Sequence, residues 1–226
     1  MHARWLALFI TIFLCPWNVR SDIKPVLINQ FNIPHPGFST LLRTFTLNST
    51  SWELLISCFN AIPLTGDYVY KVSDIQWRIT TNITPDVLTD TIVWPNGIVS
   101  SDALAPYSII IPSGFLVPGK SSGNLYFMAQ NGQPTPLVPN ERTNWFYHDA
   151  DFRDMDLDGH IDVVTGRANV PLISNPQTQL VWLRNPGNST IKGPWELHIL
   201  TEDGGPDVQV QFAQVDSTEV RSNDFC

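Results

Sequence analysis

Eighteen prolines and thirteen glycines punctuate the 226 residues, and that punctuation removes most of the folds open to a chain of this length. After the N-terminal segment, no stretch keeps apolar residues at a 3.6-residue spacing for long enough to build a stable helix. The runs between breakers are short and rich in Val, Ile, Trp, Tyr and Phe: "WELLISCF", "DYVYKVSDIQWRI", "DTIVWP", "YSIIIP", "GNLYFMAQ", "IDVVTGR", "QLVWLRN", "WELHIL" and "VQVQFAQV". Such runs read as strands bounded by turns. The apolar–polar alternation of "VQVQFAQV" reads as a half-buried antiparallel strand. The predicted fold class is all-β, made of antiparallel sheets.

With 43% hydrophobic and 15% charged residues, the chain has the composition of a globular protein with a sizeable core. Asp and Glu outnumber Lys and Arg by 21 to 13, the net charge is −8, and no basic run occurs. Nucleic acid is therefore not an expected partner, since phosphate recognition needs a basic patch. At the N-terminus, His2 and Arg4 precede the apolar run Trp5–Cys15, and Val19 and Ser21 suit a cleavage before Asp22. This tripartite pattern predicts a signal peptide over 1–21, a mature domain over 22–226, and a secreted, extracellular protein. The apolar run is shorter than the roughly 20 residues a bilayer needs, and no later stretch is long enough, so no membrane span is expected once the signal is removed. Sequons at Asn48, Asn82 and Asn188 suit the same route as glycosylation acceptors. Cys58 and Cys226 remain after cleavage; an internal bridge, free thiols and pairing with another chain are all open to them.

Within this chain "DMDLDGHID", Asp154 to Asp162, gathers four carboxylates around a glycine. Like charges this close repel one another unless a cation is placed among them. Calcium takes six to eight oxygen ligands, and alternate spacing lets a curled loop turn Asp154, Asp156 and Asp158 inward while Gly159 makes the sharp turn. His160 would supply its carbonyl oxygen and Asp162 would close the cage. Magnesium usually keeps several waters, and zinc asks for Cys or clustered His, so calcium is the expected cofactor. An EF-hand starts the same way but requires a Glu at its twelfth position and flanking helices. Here that position is Thr165, and "VVTG" follows Asp162.

The segment "ADFRDMDLDGHIDVVTGR" resembles the calcium loop of the FG-GAP/VCBS repeat, the unit of integrin-like β-propellers, and "QLVWLRNPGNSTIKGPWELHIL" is similar to the strands that follow it there. The resemblance covers about 145–215, roughly a third of the chain. It implies a loop joining two strands of one blade, with Asp154, Asp156, Asp158, the carbonyl of His160 and Asp162 as metal ligands. No second acidic loop of this kind stands upstream. At about 40 to 50 residues a blade, the mature chain supplies about four, which suits a divergent or incomplete propeller or a piece of a longer one. Exposed sheet edges in such a piece would favour self-association.

Other features carry less. "DTIVWPNG" and "QLVWLRNPG" form a loose internal pair, and 130–144 is the best candidate for a boundary. His148, Asp149 and Asp151 form a polar cluster before the acidic loop, without an adjacent nucleophile. "GKSSG", Gly119 to Gly123, lacks the spacing of a phosphate-binding loop. No catalytic residue is assigned. The expectation is a secreted calcium-binding protein with an extracellular binding or matrix role, its partner a protein or a glycan. The alternative is a carbohydrate-active enzyme of lyase or dehydratase type on the same scaffold, since fold alone does not fix function.

Overall fold

The computed structural model describes residues 5–7, 27–46, 49–63, 65–130, 132–141, 144–171, 173–188 and 190–203. Most of the expected signal segment, Asn48, Cys226 and the run "VQVQFAQV" lie outside these residues. The described chain is all-β and antiparallel, with one four-residue helix. Two short strands, β1 (Trp5–Ala7) and β2 (Gln30–Asn32), pair with each other. Three larger sheets then follow one another along the sequence.

The first sheet runs β3 (Pro36–Thr46), β4 (Ser49–Cys58), β5 (Tyr68–Val72) and β6 (Asp86–Thr89), each strand beside the one before it. The helix α1 (Ile75–Arg78) sits between β5 and β6. The second sheet runs β7 (Val99–Ser100), β8 (Ile109–Pro112), β9 (Leu125–Met128) and β10 (Thr135–Pro136) in the same stepwise order. In the third, β11 (Phe146–Tyr147) and β12 (Asp151–Arg153) both pair with β13 (Asp162–Asn169), like one interrupted strand. Strands β14 (Gln177–Arg184) and β15 (Glu196–Thr201) complete it. Among the described residues these sheets do not close into a barrel or a ring.

Side-chain alternation explains how the sheets stack, because neighbours along a strand point to opposite faces. On β4, Leu54, Ile56 and Cys58 face a cluster with Phe31, Ile33 and Ile75, while Leu55 faces the other way. Leu55 there meets Leu42, Val69, Ile109, Ile111 and Met128, so the first and second sheets share a core. Between Ile109 and Ile111, Ile110 points to the opposite side and joins Tyr147, Val163, Leu183 and Trp195 of the third sheet. Strand β8 is thus buried on both faces, which is why "IIIP" is continuously apolar. Burying residues of this size stabilises by about 1.5–3 kcal/mol each.

One end of the stack is tied by loops. Phe59, Trp94, Phe115 and His148, from four different connections, stack in series with ring centroids 4.4, 5.0 and 5.6 Å apart. Beside them, Lys120 Nζ lies 2.7 and 2.9 Å from the two carboxylate oxygens of Asp67, joining the first and second sheets. The Asp67 carboxylate also accepts the backbone N–H groups of Asn60 and Trp94, and Lys120 donates to the Thr65 carbonyl. No charge in this cluster is left without a hydrogen-bonded partner.

Candidate metal centre

The acidic loop connects β12 to β13, so it springs from a sheet rather than from helices. Its curl is held by its own carboxylates, which accept backbone N–H groups as short Asp side chains do in turns. Asp154 accepts from Asp158 (3.1 Å) and Gly159 (2.9 Å), Asp156 accepts from Asp158 (3.3 Å), and Asp158 accepts from His160 (2.9 Å). Two residues take positive φ there: Leu157 at 60°, with an exposed side chain, and Gly159 at 88°. Glycine takes this conformation without steric cost; leucine takes it with strain.

Asp162 anchors the loop from the start of β13. It is fully buried, with Oδ2 accepting the Met155 N–H at 2.9 Å and Oδ1 accepting the Asn185 N–H at 2.7 Å. Asn185 in turn donates its side-chain amide to the Ile161 carbonyl. The β14–β15 connection therefore closes over the acidic loop. The imidazole of His160 packs against Gly187 in that connection, where an added Cβ would lie 2.4 Å from its Nε2. The His160 side chain is exposed, and its imidazole is not among the groups that converge in this loop.

Oxygens of Asp154, Asp156 and Asp162 lie within 4.8 Å of one another, and this trio could hold a metal ion. Two ligands of one calcium, each at 2.3–2.6 Å, stand about 5 Å apart at most, so the spacing fits an all-oxygen site. Asp158 stands outside the trio. It meets Arg184, whose Nη2 lies 3.0 Å from Asp158 Oδ2 and whose Nε lies 2.5 Å from Asp156 Oδ2. Sequence reasoning did not single out Arg184, which acts on carboxylates 28 and 26 positions away; only the pairing of β13 with β14 brings it there.

The charges here push in opposite directions. Burial raises the Asp162 carboxyl above its usual range; the Asn185 and Met155 N–H groups lower it, and the Asp156 and Asp158 charges raise it again. At Asp156, desolvation also pushes upward, but the Arg184 hydrogen bond and charge, with backbone N–H groups, bring the carboxyl below its usual range. The loop therefore combines one carboxylate that resists ionisation with one that an arginine keeps ionised.

The remaining polar candidates serve the frame. His148 belongs to the aromatic stack, Asp149 and Asp151 each accept the N–H of the following residue, and Thr165 donates its hydroxyl to the Asp149 carbonyl. Lys120 of "GKSSG" is the buried partner of Asp67. His198 stacks on Trp182 with centroids 4.4 Å apart. Among the described residues Cys58 has no disulfide partner; its thiol is buried, and burial pushes its pKa up to about 12. Asn82 and Asn188 are both exposed, as glycosylation acceptors must be. Comparison with known protein families, curated proteins and solved structures finds no match to the chain.

Proposed function

We propose that this chain is a secreted calcium-binding protein with an extracellular binding role, and that its third sheet is a blade of FG-GAP/VCBS type. The observation that carries the metal reading is the convergence of Asp154, Asp156 and Asp162 within 4.8 Å on a strand-connecting loop. The ligand set is completed by Asp158 and the carbonyl of His160. Calcium held there would supply the positive charge that offsets repulsion among the carboxylates, and would tie the loop to the start of β13 through Asp162. Three sheets of stepwise antiparallel strands, each packed face to face on the next, support the propeller part of the reading. The signal-like N-terminus and the exposed Asn82 and Asn188 support secretion.

Isothermal titration of the purified mature chain with calcium, magnesium and zinc tests the site. One saturable calcium site is expected, selective over magnesium, with Asp156→Ala greatly weakened. Heats that are absent for calcium, or unchanged in Asp156→Ala, would reject it.

A further inference from the structure

Strand β13 carries Asp162 at one end and Arg167 toward the other, roughly 17 Å apart at the rise of a strand. At the Arg167 end a cavity of about 110 Å³ opens between the β8–β9 and β10–β11 connections, lined mainly by polar groups. Its frame is tied by hydrogen bonds. The Asn124 side chain accepts the Val138 N–H at 3.0 Å and donates to the Val138 carbonyl at 3.3 Å, and the Gly123 N–H bonds the Trp145 carbonyl at 2.8 Å. Gly123 itself passes so close to the chain that a Cβ would lie 1.9 Å from the Ser113 carbonyl oxygen.

Into this frame reach Ser122, Tyr126, Asn140 and Glu141. The charge at the rim is already balanced: Arg167 Nη1 lies 3.0 Å from both oxygens of Glu141, its Nε donates to Gln179 at 2.8 Å, and its guanidinium covers the Trp145 ring at 4.2 Å. An anion entering the cavity would meet the Glu141 carboxylate, and the pull of that carboxylate on a cation is already met by Arg167, buried behind it. An apolar guest would strip water from the polar walls and return no hydrogen bonds. Meanwhile Ser122 and Asn140 are exposed, and among the described residues their side chains make no hydrogen bond. A hydroxyl, an amide, a phenol and a carboxylate thus face one small space, offering both donors and acceptors.

The guest that matches is neutral and carries neighbouring hydroxyls that donate and accept. With about 30 Å³ for each water, the cavity holds three or four waters' worth of volume, enough for the hydroxylated edge of one sugar ring. We propose that this cavity binds the edge of a neutral saccharide unit, with the rest of the ring and any attached glycan outside. This gives a chemical class to the extracellular ligand left open above, and it does not depend on the calcium reading, because the two sites lie at opposite ends of β13.

The test is a nitrogen-15 NMR titration of the mature chain with the methyl pyranosides of glucose, galactose, mannose and N-acetylglucosamine, in EGTA and in calcium, with glycerol as control. At least one glycoside should give saturable shifts at Ser122, Asn124, Tyr126, Asn140 and the Trp145 indole, with a Kd on the order of 1 mM, a value ordinary for a few hydrogen bonds. Asn140→Ala and Ser122→Ala should each weaken binding about fivefold, the loss of one hydrogen bond. Asn140→Trp, a change at an exposed mouth position, should abolish it. Glycoside binding should be alike in EGTA and in calcium, so a failure of the calcium site is told apart from a failure of this one. No saturable shift with any of the four glycosides, shifts that survive Asn140→Trp, or equal shifts with glycerol would overturn the proposal.

Discussion

Lys120 meets Asp67 inside the protein, with side chains 3% and 2% exposed, whereas Arg184 meets Asp156 at the surface, with side chains 42% and 27% exposed. Both are cation–carboxylate contacts across connections far apart in sequence. In the first, burial has removed water, and backbone groups from three further residues complete the hydrogen bonding. In the second, water still screens the charges, and the arginine spans two carboxylates beside Asp154 and Asp162, which backbone N–H groups hold. The buried pair is therefore a fixed part of the frame. The exposed one is a weak neutralisation that a stronger cation can replace.

Breaking the buried pair should give the largest effect. Lys120→Met leaves Asp67 buried without its cation, and removing one member of such a pair costs about 3–5 kcal/mol. Urea unfolding should show that loss, and Lys120→Met combined with Asp67→Leu should recover part of it. A loss under 1 kcal/mol in the single variant would mean that the pair is not desolvated as the fold implies.

Calcium should come next. A ligand that binds only the folded state stabilises it by about 2.7 kcal/mol at a hundredfold excess over Kd, so the melting temperature should rise from EGTA to millimolar calcium. Asp156→Ala should abolish most of that rise. Equal melting temperatures in the two buffers would place the acidic loop with the solvated turns.

Asp162→Ala separates anchoring from metal binding. It leaves the N–H groups of Met155 and Asn185 without their acceptor, at about 1–3 kcal/mol for a buried polar group left unmade, even in EGTA. Asp154→Ala, on an exposed turn, should cost less under the same conditions. If the two variants unfold alike in EGTA, Asp162 is only one more carboxylate of the loop.

The acidic loop and the buried pair also differ in how far the sequence reveals them. The acidic loop is legible because its donors sit within nine residues and their spacing is itself the geometry. The Lys120–Asp67 pair spans 53 positions, and no local pattern couples "GKSSG" to "GDYVY". The strands divide the same way. Runs with strong apolar content, such as those of β4, β8, β9, β13, β14 and β15, are readable. Strand β3, "PGFSTLLRTFT", mixes Pro, Gly, Ser and Thr and gives no clear alternation, yet it is the longest strand of the first sheet. "DYVYKVSDIQWRI" reads as one strand but breaks at Asp74, where φ is 54° and the chain turns into α1. "DTIVWP" looks equally strand-like, but Trp94 takes a φ of 49° and its ring enters the aromatic stack. In both cases tertiary packing overrides local β propensity.

The smallest effect, and the one that most sharpens the comparison, is at Arg184. Its contacts with Asp156 and Asp158 are exposed, and water screens pairs of this kind. Arg184→Gln should therefore shift unfolding in EGTA by much less than Lys120→Met does. Its effect on calcium has a definite sign. The guanidinium bonds Asp156, a member of the converging trio, so calcium has to displace or outcompete it; with glutamine there, that competition ends. Calcium affinity should rise about two- to fivefold, the equivalent of the exposed pair, and the gain should shrink as salt screens the arginine in the wild-type protein. Titration calorimetry of both proteins at low and high ionic strength measures this directly. Weaker calcium binding in Arg184→Gln would mean that the arginine positions Asp156 for the metal and does not compete with it.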